Sequence, residues 1–160
     1  MSERPPQISV IGSAAAEDEI LAHAEGVGRG IAGAGAVLVC GGGGGVMEAA
    51  SRGASEAGGV VIGILPDSSP ADGNRHLTHA IATGIGHARN LAVVASGDAV
   101  IAIGGEWGTL SEIALARRLE RPVIGLDTWT LRHRAGTDLG IAEASSAEDA
   151  VNAALSSISG

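Results

Sequence analysis

The densest chemistry in the chain lies in Gly104-Gly105-Glu106-Trp107-Gly108-Thr109-Leu110-Ser111-Glu112. Gly108 permits a close turn. Thr109 falls at an expected helix start, where a hydroxyl and the free N–H groups can hold a phosphate. Glu112 follows three residues later, on the same helical face one turn deeper. The same spacing fits a capping box, with Thr109 as N-cap and Glu112 reaching back to it. Spacing alone leaves both readings open.

Other segments carry related signals. The run Gly41, Gly42, Gly43, Gly44, Gly45 lies between an expected strand and an expected helix. Glycines there let a backbone approach an anion closely, with N–H groups and a helix N-terminus as donors. The alternative is a tight helix–sheet connection with no ligand. The run follows the second strand, whereas the first closes on Gly12-Ser13, so a dinucleotide fingerprint is not in its proper place. Arg89, in Gly84-Ile85-Gly86-His87-Ala88-Arg89-Asn90, can grip a phosphate or carboxylate bidentately, or simply pair with Glu112. His76, His79 and His87 show no zinc-ligand spacing, and no metal site is expected.

These residues need a scaffold, and the apolar pattern supplies one. Short Val/Ile-rich runs at Gln7–Ile11, Ala36–Cys40, Val60–Leu65, Ala99–Ile103 and Pro122–Leu126 read as strands. Shorter candidates are Leu77–Ala82 and Ile141–Ala144. Helical stretches at Glu17–Ala32, Val46–Glu56, Ile85–Ser96, Thr109–Leu119 and Ala147–Ser156 alternate with them. Strands apolar on both faces belong in a parallel sheet covered on both sides. The expectation is an α/β, three-layer, doubly wound, mostly parallel Rossmann-like sheet, one domain over residues 1–160. In such a sheet the ligand crevice lies beyond the C-terminal strand ends. Gly12-Ser13, Gly41–Gly45 and Gly104–Thr109 should therefore meet there.

Composition narrows the classes. The net charge of −8 opposes a nucleic-acid backbone. The only aromatics are Trp107 and Trp129, too few for a base-stacking groove on single strands. Every basic residue is Arg, which removes Schiff-base chemistry and a P-loop lysine. Cys40 is the single cysteine, so an internal disulfide is impossible. A polar N-terminus and the lack of a long apolar run point to a soluble cytoplasmic protein without a membrane partner.

GGGGGVMEAA (Gly41–Ala50), ATGIGHARN (Ala82–Asn90) and GGEWGTLSE (Gly104–Glu112), in that order, resemble the lysine-decarboxylase-like Rossmann superfamily. That group includes the Lonely Guy phosphoribohydrolases and DprA-like proteins. The chain is most similar to its short branch of molybdenum-cofactor carrier proteins. The resemblance implies a pocket in which Gly108 and Thr109 grip a phosphate, with Gly12, Ser13, Gly41–Gly45 and Gly105 around it. In the hydrolases the residues matching Arg89 and Glu112 form the catalytic pair. Asn90 stands where those enzymes carry Lys, Gly104 where they carry Pro, and Glu106 where they carry Gly. These departures favour a binding or carrier protein for a phosphorylated, nucleotide-like ligand such as molybdenum cofactor, with no cofactor required for its own work. A nucleoside 5′-monophosphate phosphoribohydrolase and a non-catalytic assembly or regulatory subunit are the alternatives. The resemblance also implies a homo-oligomer, a dimer or tetramer.

Overall fold

A computed structural model describes residues 4–159. Seven strands form one sheet: β1 (Gln7–Ile11), β2 (Val37–Cys40), β3 (Val61–Leu65), β4 (His79–Ala82), β5 (Ala99–Ile103), β6 (Val123–Leu126) and β7 (Ile141–Ala144). Five helices cover it: α1 (Asp18–Gly33), α2 (Val46–Glu56), α3 (Arg89–Ser96), α4 (Trp107–Arg118) and α5 (Ala147–Ile158). The strand order is β4-β3-β2-β1-β5-β6-β7. Every pairing is parallel, so the sheet expected to be mostly parallel is wholly so.

Alternation along each strand divides the core. Ile101 and Ile103 join Ile8, Val10 and Leu38 against Ala24, Val27 and Ile31 of α1 and Ala50 of α2. Val100 and Ala102 point the other way, onto Val93 and Val94 of α3 and Ile113 of α4. Successive strand side chains face opposite sides, so one apolar run serves both layers. Ser9, polar inside that pattern, is accommodated because its hydroxyl donates to the Val93 carbonyl at 2.6 Å. Helices α1 and α2 touch backbone to backbone. A Cβ at Gly28 would lie 1.9 Å from the Ala50 carbonyl oxygen, and one at Gly53 would lie 2.0 Å from that of Glu25.

The structure corrects several expected boundaries. The stretch Ile85–Ser96 is a short 3-10 turn, Gly86–Ala88, followed by α3. Gly84 and Gly86 both take positive φ, which α-helical geometry excludes. Helix α4 begins at Trp107, two residues before Thr109. The chain leaves β5 through Gly104 and Gly105 at φ 56° and 128°, reaches extended backbone at Glu106, and turns helical immediately after. At the far end of α4 and just beyond it, Arg117 and Arg121 donate to the carbonyls of Leu139 and Ala95. Among the described residues no helix is long and apolar enough to cross a membrane.

Candidate functional site

The strand order reverses direction between β1 and β5. The connections leaving those two strands diverge to opposite faces of the sheet and open a crevice between them. It has a volume of about 300 Å³. Gly12 and Ser13 after β1, Gly41 after β2, and Gly108 and Thr109 after β5 all line it, together with Arg89 and Glu112. The expected convergence is therefore present in the geometry. It does not extend to every expected residue: Gly42–Gly45 and Gly105 lie outside the lining.

The outlying glycines shape the loops behind the wall. A Cβ on Gly45 would come within 2.4 Å of the Ser13 carbonyl oxygen, so the second glycine loop lies directly against the first. Gly105 is closed off similarly, since its Cβ would meet the Thr109 side chain at 2.7 Å. The loop after β2 is tied down by Asn74. Its N–H donates to the Gly42 carbonyl at 2.8 Å and its side-chain amide to that of Gly43 at 3.0 Å. Nothing in the local sequence marks Asn74, which acts across about thirty positions of chain.

Helix ends supply the electrostatics. First-turn residues of α2 (Met47), α3 (Arg89, Asn90) and α4 (Gly108, Thr109) all face the crevice. None of these helices has a side-chain cap: their N-cap residues are Gly45, Ala88 and Glu106. Each N-terminus carries the positive end of a helix dipole, but the first N–H of α2 is taken by the Ser13 carbonyl at 3.0 Å and that of α3 by the Gly86 carbonyl of the preceding turn, so the first turn of α4 is the most open to the crevice. The capping box is overturned here. Thr109 is the third residue of α4, not its N-cap, and it is only 2% exposed.

Arg89 sits at the rear of this space. Gly41 leaves room for it, because a Cβ there would lie 2.7 Å from the guanidinium. One guanidinium nitrogen donates to the Asn90 side-chain oxygen and another reaches the Gly41 carbonyl at 3.5 Å, while Nε is buried without a partner among the described residues. Ion pairs among the described residues are Arg4–Asp98, His23–Asp127, Arg29–Glu25 and Arg52–Glu25. Arg89 and Glu112 are thus held in one crevice without a direct ion pair, which removes the simple pairing considered for them.

Glu112 is 7% exposed. Burial pushes its carboxyl up to about 7, against a downward pull from Arg89. Such a group can hold or release a proton near neutral pH. Glu106 and Asn90, the departures from the hydrolase pattern, both line the crevice, as does His87. Met47 and Ala14 also line it and had no signal in sequence beyond their proximity to glycines. Cys40 is buried below, and burial raises its thiol, which leaves it unreactive. No cluster of His, Cys, Asp and Glu among the described residues could hold a metal ion.

Residues 5–154 match the SLOG cluster4 family, and the chain belongs to that family. A molybdenum cofactor binding protein from Rippkaea orientalis is 40% identical, with a TM-score of 0.89 over 98% of this chain and 99% of that one. The molybdenum cofactor carrier protein of Chlamydomonas reinhardtii is 32% identical, with a TM-score of 0.84 over 98% of this chain and all of that one. A DNA processing protein A from Helicobacter pylori that binds single-stranded DNA is similar in fold alone, at 21% identity and TM-score 0.71 over 96% of this chain and 81% of that one.

Proposed function

We propose that this member of the SLOG cluster4 family binds and carries a phosphorylated, nucleotide-like small molecule, with molybdenum cofactor as the leading candidate. The observation that carries the reading is the meeting of the uncapped N-termini of α2, α3 and α4 in the crevice where the strand order reverses. The dipoles of the three helices and the open N–H groups of the first turn of α4 make a ready anion site. The Arg89 guanidinium, with its buried and unpartnered Nε, adds a fixed positive charge. The likeness to the molybdenum cofactor binding protein of Rippkaea and the carrier protein of Chlamydomonas supports the choice of ligand.

A terminal phosphate fits the first turn of α4, on the N–H groups around Gly108 and Thr109 and the Thr109 hydroxyl, with Arg89 opposite. Backbone of Gly12, Ser13 and Gly41 would line the remaining wall. The net charge of −8 disfavours a nucleic-acid strand as the natural occupant. A homo-oligomer in the cytoplasm remains our expectation, and exposed Ile81, Ile85 and Leu91 suit a contact between copies.

Anaerobic calorimetry with molybdenum cofactor and with nucleoside 5′-monophosphates tests the reading, alongside identification of any small molecule that co-purifies. Thr109→Val should weaken binding about tenfold, the effect of one hydrogen bond to a charged group, while the fold is retained. Absence of binding by every phosphorylated candidate would overturn the carrier reading.

Glu112 supports a second reading, hydrolysis of a nucleoside 5′-monophosphate at its N-glycosidic bond. Its carboxyl, raised to about 7 beside Arg89, is poised for proton transfer at neutral pH. Release of free base that disappears in Glu112→Gln would establish this activity. Asn90 and Glu106 leave the crevice less cationic than the hydrolase pattern, which places this reading second.

A further inference from the structure

A second depression lies beside the crevice at the same edge of the sheet. Its walls are Gly104 and Gly105 after β5, the segment Asp127–Thr130 after β6, and Ile141 and Glu143 of β7. The part against β7 holds about 230 Å³ and the part against Gly104 about 370 Å³. Gly105 lines this trough and its neighbour Glu106 lines the crevice, so a single turn of chain separates the two.

Three observations give the trough a chemistry. Both aromatic residues of the chain meet at its rim. The Trp129 ring forms a wall, with the Trp107 ring 5.2 Å away and tilted by 38°, and the Trp129 indole N–H is fixed on the Glu106 carbonyl at 3.2 Å. Trp107 is 75% exposed, an unusual position for a large apolar ring. The Thr128 hydroxyl, also in the wall, is buried without a hydrogen-bond partner among the described residues, and such groups normally find one. The carboxylate of Glu143, on an exposed position of β7, adds an acceptor.

We propose that this trough is the ring subsite of the same ligand, and that it takes a planar heteroaromatic ring with a 2-amino-4-oxopyrimidine edge, the edge shared by guanine and pterin. The inference rests on the carrier reading for the phosphate. The ring stacks on Trp129 with Trp107 as backing. Thr128 Oγ1 meets a ring heteroatom, and Glu143 accepts from the paired N–H groups of the edge. The crevice lies above β1 and β5 and the trough above β5, β6 and β7. Neighbouring strands are about 4.8 Å apart, so the centres lie one and a half strand spacings apart, about 7 Å. That separation suits a phosphate and a ring joined by a sugar or a fused ring system.

The two tryptophans make the test direct, because all tryptophan fluorescence of the chain originates at this rim. Guanosine 5′-monophosphate and a pterin phosphate should quench it and bind at least tenfold more tightly than ribose 5-phosphate, the scale of one base stacked on an aromatic ring. Which of the two binds more tightly distinguishes nucleotide from pterin. Trp129→Leu, which keeps an apolar side chain against the core, should erase the advantage by calorimetry and leave ribose 5-phosphate binding unchanged. Glu143→Gln, at an exposed position, should selectively weaken guanosine relative to adenosine. Equal affinity for ring-bearing and ring-free phosphates, or an advantage that survives both substitutions, would overturn the subsite. Failure of ribose 5-phosphate to bind would overturn the phosphate reading instead. In that case guanosine and 6-hydroxymethylpterin, which lack phosphate, decide the trough: quenching supports it, and no quenching refutes it.

Discussion

Helices α4 and α5 both follow parallel strands at the same edge of the sheet, and they begin in opposite ways. Helix α5 is closed by its own sequence: the Ser146 hydroxyl accepts from the Asp149 N–H at 3.1 Å. Acidic Glu148 and Asp149 occupy its first turn in the solvent-facing manner that suits a helix dipole. Helix α4 starts from Glu106 with no side-chain cap, and its nearest inward carboxyl, Glu112, is buried. One helix satisfies its first donors internally, while the other leaves them open toward the crevice. A capped N-terminus contributes to stability, whereas an open one facing a crevice contributes to recognition.

Substitutions can break or sharpen this contrast. The largest effect is expected from Glu112→Gln. The Glu112 carboxyl ordinarily titrates at 4.5 and is raised to about 7 in the fold. Between those values the folded state holds a proton that the unfolded state has lost, so stability falls as pH rises from 4.5 to 7 and stays low above. The Gln variant lacks this fall and should exceed the wild type by roughly 3 kcal/mol at pH 8, with little difference at pH 4. Urea titrations at the two pH values measure it.

Arg89→Ala comes next and touches only the open side of the contrast. Losing a charged donor should reduce affinity for a phosphorylated ligand by a factor of about 10–100, the equivalent of ~1.5–3 kcal/mol. Unaltered affinity by calorimetry would show that helix ends alone bind the anion. Ser146→Ala is the converse, expected to lower stability by about 1 kcal/mol without altering ligand binding. The smallest change is Gly108→Ala. Its Cβ meets nothing within 4 Å. Helix propensity should then stabilise the fold by at most about 1 kcal/mol, while the added methyl group narrows the anion position and weakens binding.

The elements legible in the sequence were those with one strong local signal. Strands β1 and β5, and helix α2, have the expected bounds because apolar runs stop at glycine or begin after it. The lining of the crevice by Gly12, Ser13, Gly41, Arg89, Thr109 and Glu112 follows from their places after strands. The start of α4 was not legible, because Thr109 offers a good cap and only the backbone at Gly104 and Gly105 shows that the helix has already begun. Asn74 was invisible for a different reason. Its partners, Gly42 and Gly43, are brought to it by the pairing of neighbouring strands β2 and β3. Gly42–Gly45, expected in the ligand lining, lie outside the walls of the crevice, and Gly45 lets its loop pack against the Ser13 carbonyl.

The wholly parallel sheet also implies an order in which parts of the site can be assembled. Without hairpins, each strand pair waits for a crossover to form. The stretch from β1 to α2 can close early, since Gly28 and Gly53 let its two helices lock together within the first third of the chain. The crevice cannot form then, because its opposite wall is the chain leaving β5. A nascent or half-folded chain therefore has no complete binding site. A ligand bound in the crevice would select the finished molecule and stabilise it by mass action, so loading would report that folding is complete.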